Sequence, residues 1–485
     1  MRTEAIERID GFPYRHRVRD LMTAPVATLP PDAPLREAIT QLIRQGISSI
    51  VVVDSDGRAI GILTERDVLR VITSTGGAAL EAALRGAMTS PVAGVPPDSF
   101  IYRAVGRMNR LNVRHLPVLD PQGRPIGMLT TRILLALRSQ QALALGDEVD
   151  VAPDPAALRA AHARLPALAR ALLAEDVPGT AIAAVIAAVT RDLTARAAEL
   201  ALAAMAVEGK GEPPCPWCLL VLGSAGRGET LLAPDQDNAL ILDPPADADI
   251  AAVDAWFAGF ATRLNTSLDA AGVPFCKGGV MAREPAFRRT AAGWRHEVGR
   301  WIAHPDGSAV LAADIFFDMS AVAGDPLLAE ALRRDTIAAA SKAPAFLQQL
   351  ATELDAPQGA IGLFGGFRLT SGRVDLKRTG LLPITAGARV LALHRGIAET
   401  GTDERLRMLT ARQVIRESDA EDIVSARAII VDAILRQQLA DVAAGSAPGS
   451  RVDPSRLART PRRRLRDAVK RTRLIAPIVE SALSG

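Results

Sequence analysis

The chain has 485 residues, room for about three domains on the usual length prior, and 48% of its residues are hydrophobic against 23% charged. A net charge of +3 is too small to make nucleic acid the main partner, and no apolar run reaches the roughly 18 residues that span a membrane. Three cysteines cannot form a disulfide framework, and the first eight residues lack an apolar signal core, so a cytoplasmic location is expected.

Residues 18–70 and 84–136 match each other at a constant offset of 66, without gaps. Met22-Thr23 aligns with Met88-Thr89, Pro30-Pro31-Asp32 with Pro96-Pro97-Asp98, and Ile60-Gly61 with Ile126-Gly127. A duplication of this kind implies two copies of one supersecondary unit packed together. Each copy holds a helix-period stretch (Leu35 to Ile43; Ile101 to Leu111) and then a β-rich run (Ile50 to Val53; Leu116 to Leu119). A turn (Asp54 to Gly57; Asp120 to Gly123), a short strand and a closing helix complete it.

This β-α-β-β-α order resembles the CBS domain, and the pair resembles a Bateman module. The resemblance implies an adenine nucleotide effector in a cleft between the repeats, and a homodimer as the expected assembly. Carried over position by position, Thr64 and Asp67 match the residues that hold the phosphate side and the ribose hydroxyls. A carboxylate suits the ribose because it can accept two hydroxyl hydrogen bonds. Thr130 is kept in the second copy, but Ile133 replaces the acid there, so the first site is the stronger candidate.

From Pro153 to about Val207 apolar residues recur at spacings of three and four, with breaks at Pro166 and Pro178. Several connecting helices are expected, including a buried one from Ala181 to Thr190 that ends at Arg191-Asp192. Gly209 to Pro214 marks a boundary. Cys215-Pro-Trp-Cys218 has redox spacing, yet it precedes a strand instead of opening a helix, and incidental spacing is the simpler reading.

Leu219 to Leu222 then leads into Gly223-Ser-Ala-Gly-Arg-Gly-Glu229, followed by Asp235-Gln-Asp237 and a second apolar run, Ala239 to Leu242. Gly223, Gly226 and Gly228 allow close backbone approach to phosphate, and N–H groups at the following helix start favour an anion. Ser224 adds a hydroxyl. Asp235 and Asp237, spaced by one residue at a strand opening, point to the same side and can hold Mg²⁺ against a triphosphate. Arg227 could face the phosphates or pair with a carboxylate.

The pattern resembles the polymerase-β-type nucleotidyltransferase superfamily, more closely the N-terminal catalytic domain of the PII-protein uridylyltransferases. It is most similar to a DUF294-type family that carries CBS repeats ahead of the same domain. Cys276 to Ala282, Trp294 to Trp301, Asp314 to Asp318, Gly366-Phe367 and Val374 to Pro383 extend the likeness over nearly the whole chain. A third carboxylate on a neighbouring strand is usual in that superfamily. Asp314 and Asp318 would share one strand face, and the match to Ile-Phe-Phe-Asp favours Asp318 as the third catalytic acid with Asp235 and Asp237.

The expected fold is a multidomain α/β chain. CBS repeats at 1–77 and 78–145 precede connecting helices at 146–210, a mixed-sheet nucleotidyltransferase core at 211–335 and a helical substrate-binding domain at 336–485. Near the end, Arg462 to Arg466, Lys470 and Arg473 alternate with Leu465, Val469 and Leu474, which reads as a docked amphipathic helix and not a nucleic-acid surface. The expected activity moves an NMP from an NTP to a hydroxyl of an unidentified protein or small-molecule acceptor, under adenine-nucleotide control. The alternative is a non-catalytic nucleotide-sensing signal-transduction protein.

Overall fold

A computed structural model describes residues 17–99, 101–130, 145–146, 148–305, 307–352, 360–362 and 366–484. The chain divides into two compact units, Met1–Gln141 and Ala142–Gly485.

In the first unit, β1 (Thr28–Leu29), α1 (Leu35–Gln45), β2 (Ser49–Val53), β3 (Ala59–Thr64) and α2 (Glu65–Thr75) form the first repeat. The second supplies α3 (Ile101–Leu111), β4 (His115–Leu119) and β5 (Pro125–Thr130); its closing helix, with Ile133, falls outside the described residues. β1 runs parallel to β2 and β3 antiparallel to it, and the Val95–Val118 bridge repeats the first pairing 66 residues on. The duplicated turns work alike. Asp54 Oδ1 accepts from the Asp56 and Arg58 amides, and Asp120 Oδ1 from those of Gln122 and Arg124, each an Asx turn added to the backbone bonds of the turn itself.

The two repeats lock through a reciprocal contact. A Cβ on Gly61 would lie 2.3 Å from the sulfur of Met88, and one on Gly127 would lie 2.4 Å from that of Met22. The same offset relates both glycines and both methionines. Bare backbone is therefore needed on each side for the other repeat's side chain to seat.

In the second unit, α4 (Pro155–His162), α5 (Leu165–Ala174) and α6 (Gly179–Val207) precede β6 (Trp217–Val221) and the five-residue α7 (Gly223–Arg227). β7 (Asn238–Leu242), α8 (Ile250–Ala270), β8 (Arg288–Thr290), α9 (Ala291–Ala303), α10 (Gly307–Phe316) and β9 (Ser320–Gly324) complete the core. The sheet order is β8-β7-β6-β9, with β7 and β8 parallel and the other pairs antiparallel. Alternate residues of β6 and β7 enter two different cores. Cys218, Leu220, Ala239 and Ile241 pack with Trp294, Phe316 and Phe317, while Leu219, Leu240 and Leu242 pack with α6 and α8. Helices thus cover both faces, which is why these strands read as unbroken apolar runs.

The remaining helices are α11 (Pro326–Ala340), α12 (Pro344–Thr352), α13 (Leu382–His394), α14 (Thr402–Ala411), α15 (Glu417–Ala443), α16 (Arg459–Arg471) and α17 (Ile475–Ser484). The short ladder of β10 (Val374–Asp375) with β11 (Arg451–Val452) lies among them, and a π-helical turn at Lys377–Leu381 leads into α13. No helix among the described residues is long and apolar enough to cross a membrane.

Two expectations need correcting. The strand expected over Asp314 to Asp318 is instead the end of α10 and the bend that precedes β9. The short run Ile315-Phe316-Phe317 satisfies strand and buried-helix patterns alike, and packing of Phe316 against Trp294 and Trp301 selects the helix. Likewise α6 does not end at Arg191-Asp192 but continues to Val207. Arg191 can sit mid-helix because its Nε donates to the Ala225 carbonyl of α7 at 2.8 Å.

Candidate active site

Leu222 follows β6 in extended backbone, and its amide donates to the Asp237 carbonyl at 2.9 Å, so the chain after β6 and the Asp-x-Asp segment stay paired up to the glycine turn. Gly223 (φ +57) opens α7 and Gly228 (φ +75) closes it, both in the left-handed region where glycine is favoured. At Gly226 the requirement is space: a Cβ would lie 1.7 Å from the Asp318 carbonyl oxygen. Gly223 leaves room for the acids, since a Cβ there would stand 2.9 Å from Asp237 Oδ2.

The direction of the two acids is set from behind. Gln236 and Asn238 are buried and tied to Asn265 of α8. Asn265 Nδ2 donates to Gln236 Oε1 (2.8 Å) and Asn238 Oδ1 (3.0 Å), while Gln236 Nε2 donates to the Asn265 and Val273 carbonyls. The Ala282 amide donates to the same Asn238 Oδ1, and the Arg283 amide to Asn265 Oδ1. With residues 236 and 238 clamped inward, 235 and 237 face the other way.

Asp235, Asp237 and Cys276 bring one ligand atom each to within 4.8 Å of one another. Burial, then the neighbouring Asp235, push the Asp237 carboxyl up to about 6, against the pull of Cys276, Lys377 and Arg227. Cys276 opens the Cys276 to Ala282 stretch that extends the family likeness, but nothing in its spacing marks it as a neighbour of the two acids. Its thiol is raised by burial. Hard carboxylate oxygens suit Mg²⁺, so the donor chemistry of Asp235 and Asp237 fits that ion, with the Cys276 thiol beside them.

Asp318 is placed elsewhere. It is fully buried, with Oδ1 accepting from Arg405 Nη1 (2.7 Å) and Oδ2 from Arg227 Nη1 (2.6 Å) and Arg389 Nη2 (2.6 Å). It is not among the ligand atoms gathered at Asp235. Asp314 pairs with Arg389 as well. Arg227 also bonds Glu229 at 2.9 Å, and Glu229 accepts from Arg427 and from the Thr402 amide. Although burial opposes it, Arg227 and then Arg427 hold the Glu229 carboxyl down at about 2. Of the two roles open to Arg227, the structure displays the carboxylate pair.

In the first unit, Thr64 and Asp67 form the N-cap of α2. The Thr64 amide and hydroxyl donate to Asp67 Oδ2 at 3.0 and 2.7 Å, and Arg70 pairs with Asp67 Oδ1 at 2.8 Å. Thr130 ends β5 at the matching position. The Cys215–Cys218 pair is chemically quiet: burial raises both thiols, that of Cys218 to about 12.

Comparison with known families agrees with this architecture. Residues 163–308 match the model described as "Putative nucleotidyltransferase DUF294", and residues 344–481 match "Putative nucleotidyltransferase substrate binding domain". CBS domain models match residues 18–74 and 84–139. The chain belongs to this CBS-containing DUF294 family. Individual relatives match over short stretches. A 17.7 kDa uncharacterized protein of Acidianus ambivalens is 29% identical over 118 residues, which is 24% of this chain and 70% of that protein. Inosine-5'-monophosphate dehydrogenase of Methanocaldococcus jannaschii is 32% identical over 23% of this chain and only 22% of its own length. Among solved structures, a CBS-domain protein of Agrobacterium tumefaciens is 31% identical (TM-score 0.24) over 25% of this chain and 92% of that one. A Pyrobaculum aerophilum CBS protein solved with AMP is 28% identical (TM-score 0.23), over 26% of this chain and 99% of that one.

Proposed function

We propose that the chain transfers a nucleoside monophosphate from an NTP to a hydroxyl of a protein or small molecule, releasing pyrophosphate. The observation that carries this reading is the seating of Asp235 and Asp237 at the mouth of the Gly223–Gly228 turn, clamped from behind by the Asn265 network. Backbone N–H groups at the start of α7 and the Ser224 hydroxyl bind the phosphates. Asp235 and Asp237 hold Mg²⁺, which when bound neutralises the charge of the triphosphate and of the leaving pyrophosphate. Lys377, whose charge acts on Asp237, adds a cation on the side of the substrate-binding domain. Asp318 acts as a positioning residue: it fixes Arg227 behind the turn together with Arg389 and Arg405. Catalysis then rests on alignment and charge. In the CBS unit an adenine nucleotide binds at Thr64 and Asp67, with Thr130 marking the weaker second position.

The sequestration of Asp318 favours one second reading, a nucleotide sensor without turnover. Incubation with α-phosphate-labelled NTPs, Mg²⁺ and a lysate of the source cell separates the two. Label transferred by wild type and absent with Asp235→Asn/Asp237→Asn is the expected result. Intact nucleotide binding without transfer or pyrophosphate release would establish the sensor.

A further inference from the structure

The basic stretch of α16 is arranged around a concavity, with Arg459, Arg462 and Arg463 exposed and Arg466 partly buried. Arg459, Arg462, Arg463 and Arg466 stand at spacings of three, four and seven, so they share one helix face. Leu465, Ala468 and Val469 occupy the buried face and pack with Leu376, Ile430 and Ile434. The four arginines line a cavity of about 470 Å³ together with Thr460 and Phe367, within the size range of small-molecule sites. Among the described residues, no acidic side chain lines it.

Three features of this helix are unfavourable on their own terms. Like charges three and four residues apart repel. Cations crowd the positive, N-terminal end of the helix dipole. The Ala458 N-cap offers no side-chain acceptor, so the first amides lack a cap. Among the described residues, Arg459, Arg462 and Arg463 have no carboxylate partner. Arg466 Nε is buried without a hydrogen bond, and its nearest acid, Asp467, stands at 3.9 Å. One bound polyanion would relieve all three faults.

We infer that this cavity binds the oligophosphate chain of a small molecule. Guanidinium forks match phosphate oxygens two at a time, and four of them around a concave site suit a di- or triphosphate better than a single monoanion. Phe367 contributes an apolar wall and also packs in the cluster that holds Leu231, four residues before Asp235. The site is independent of the Asp235–Asp237 centre and does not require that the chain turn over.

The test is calorimetric titration of the full chain with inorganic tripolyphosphate at low ionic strength, with EDTA present to silence metal-dependent binding. Wild type and Asp235→Asn/Asp237→Asn are expected to bind one equivalent alike. Arg462→Ala/Arg463→Ala is expected to bind roughly tenfold or more weakly, with a melting temperature at or above that of wild type because like charges have been removed. ATP binding as tightly as tripolyphosphate identifies the bare chain as the ligand. Tighter ATP binding, lost in Phe367→Ala, identifies a nucleotide. No binding, or equal binding by the arginine variant, overturns the inference. A single-stranded oligonucleotide that outcompetes tripolyphosphate at equal phosphate concentration would overturn it in favour of a nucleic-acid surface.

Discussion

Glu229 and Asp237 lie eight residues apart, and their environments act on them in opposite senses. The Glu229 carboxyl is held from its ordinary 4.5 down to about 2, with burial opposing and Arg227 and Arg427 prevailing. A carboxylate depressed in the folded state adds stability that is present above its unfolded value and is lost as pH falls through the folded one. Its contribution therefore fades between pH 4.5 and about 2. Glu229→Gln keeps the shape but leaves Arg227 and Arg427 short of a buried counter-charge, which costs about 3 kcal/mol. Denaturant melts across pH should show wild type losing stability through that window while the variant, weaker at neutral pH, changes less. Parallel curves would refute the assignment. Asp237 has the reverse sign: its raised carboxyl makes ionisation a cost to the folded chain. A site that gathers charge in this way is built for a ligand more than for stability. Of these residues, the two acids and the glycines could be read directly from their spacing. Two partners of Asp318 could not, because Arg389 and Arg405 are 71 and 87 residues away and nothing local marks them.

Short elements carry the tightest constraints. α7 is only five residues long, so it owes its place to packing and not to propensity. Gly226 rests its Cα against the Asp318 carbonyl, with a further oxygen, that of Val221, 3.0 Å from where a Cβ would be. Backbone on both sides cannot move aside cheaply. Gly226→Ala should therefore destabilise the second unit by roughly 3 kcal/mol or more and separate the turn from the arginine cluster. Gly299, inside α9, has nothing within 4 Å of its Cβ position, and Gly299→Ala should stabilise by about 0.5–1 kcal/mol. Thermal melts of the two variants should move in opposite directions, and a neutral Gly226→Ala would show that the approach is not needed. Pattern reading located α1, α3, β2 and β4 within two residues. It failed at Asp314 to Asp318, where three apolar residues fit two periods at once, and at α6, where a tertiary bond from Arg191 carried the helix past an apparent stop.

At the scale of the molecule, the duplication made the first unit legible as two copies, and in the structure the same offset of 66 relates the reciprocal Gly61–Met88 and Gly127–Met22 contacts. The second unit was legible as a sheet with an Asp-x-Asp motif, whereas the cavity on α16 was not, because a row of arginines looks the same in sequence whether it faces solvent or a pocket. The division at Gln141 and Ala142 leaves each unit with cores of its own, so the proposed regulation and the proposed transfer should be separable. Residues Ala142–Gly485 carry the glycine turn, Asp235, Asp237, Asn265 and the arginine cluster; Thr64, Asp67 and Thr130 all lie in the other unit. Expressed alone and supplied with source-cell lysate as the source of acceptor hydroxyls, Ala142–Gly485 should release pyrophosphate from its NTP at a rate that AMP leaves unchanged. The full chain should respond to AMP, and Asp67→Asn should reduce that response several-fold in AMP concentration by removing an acceptor for the ribose hydroxyls. Pyrophosphate release measured across an AMP titration for the three proteins decides the matter. A response that persists in Ala142–Gly485 would place the effector in the second unit, at the arginine cavity or the catalytic turn, and leave the CBS pair a structural role.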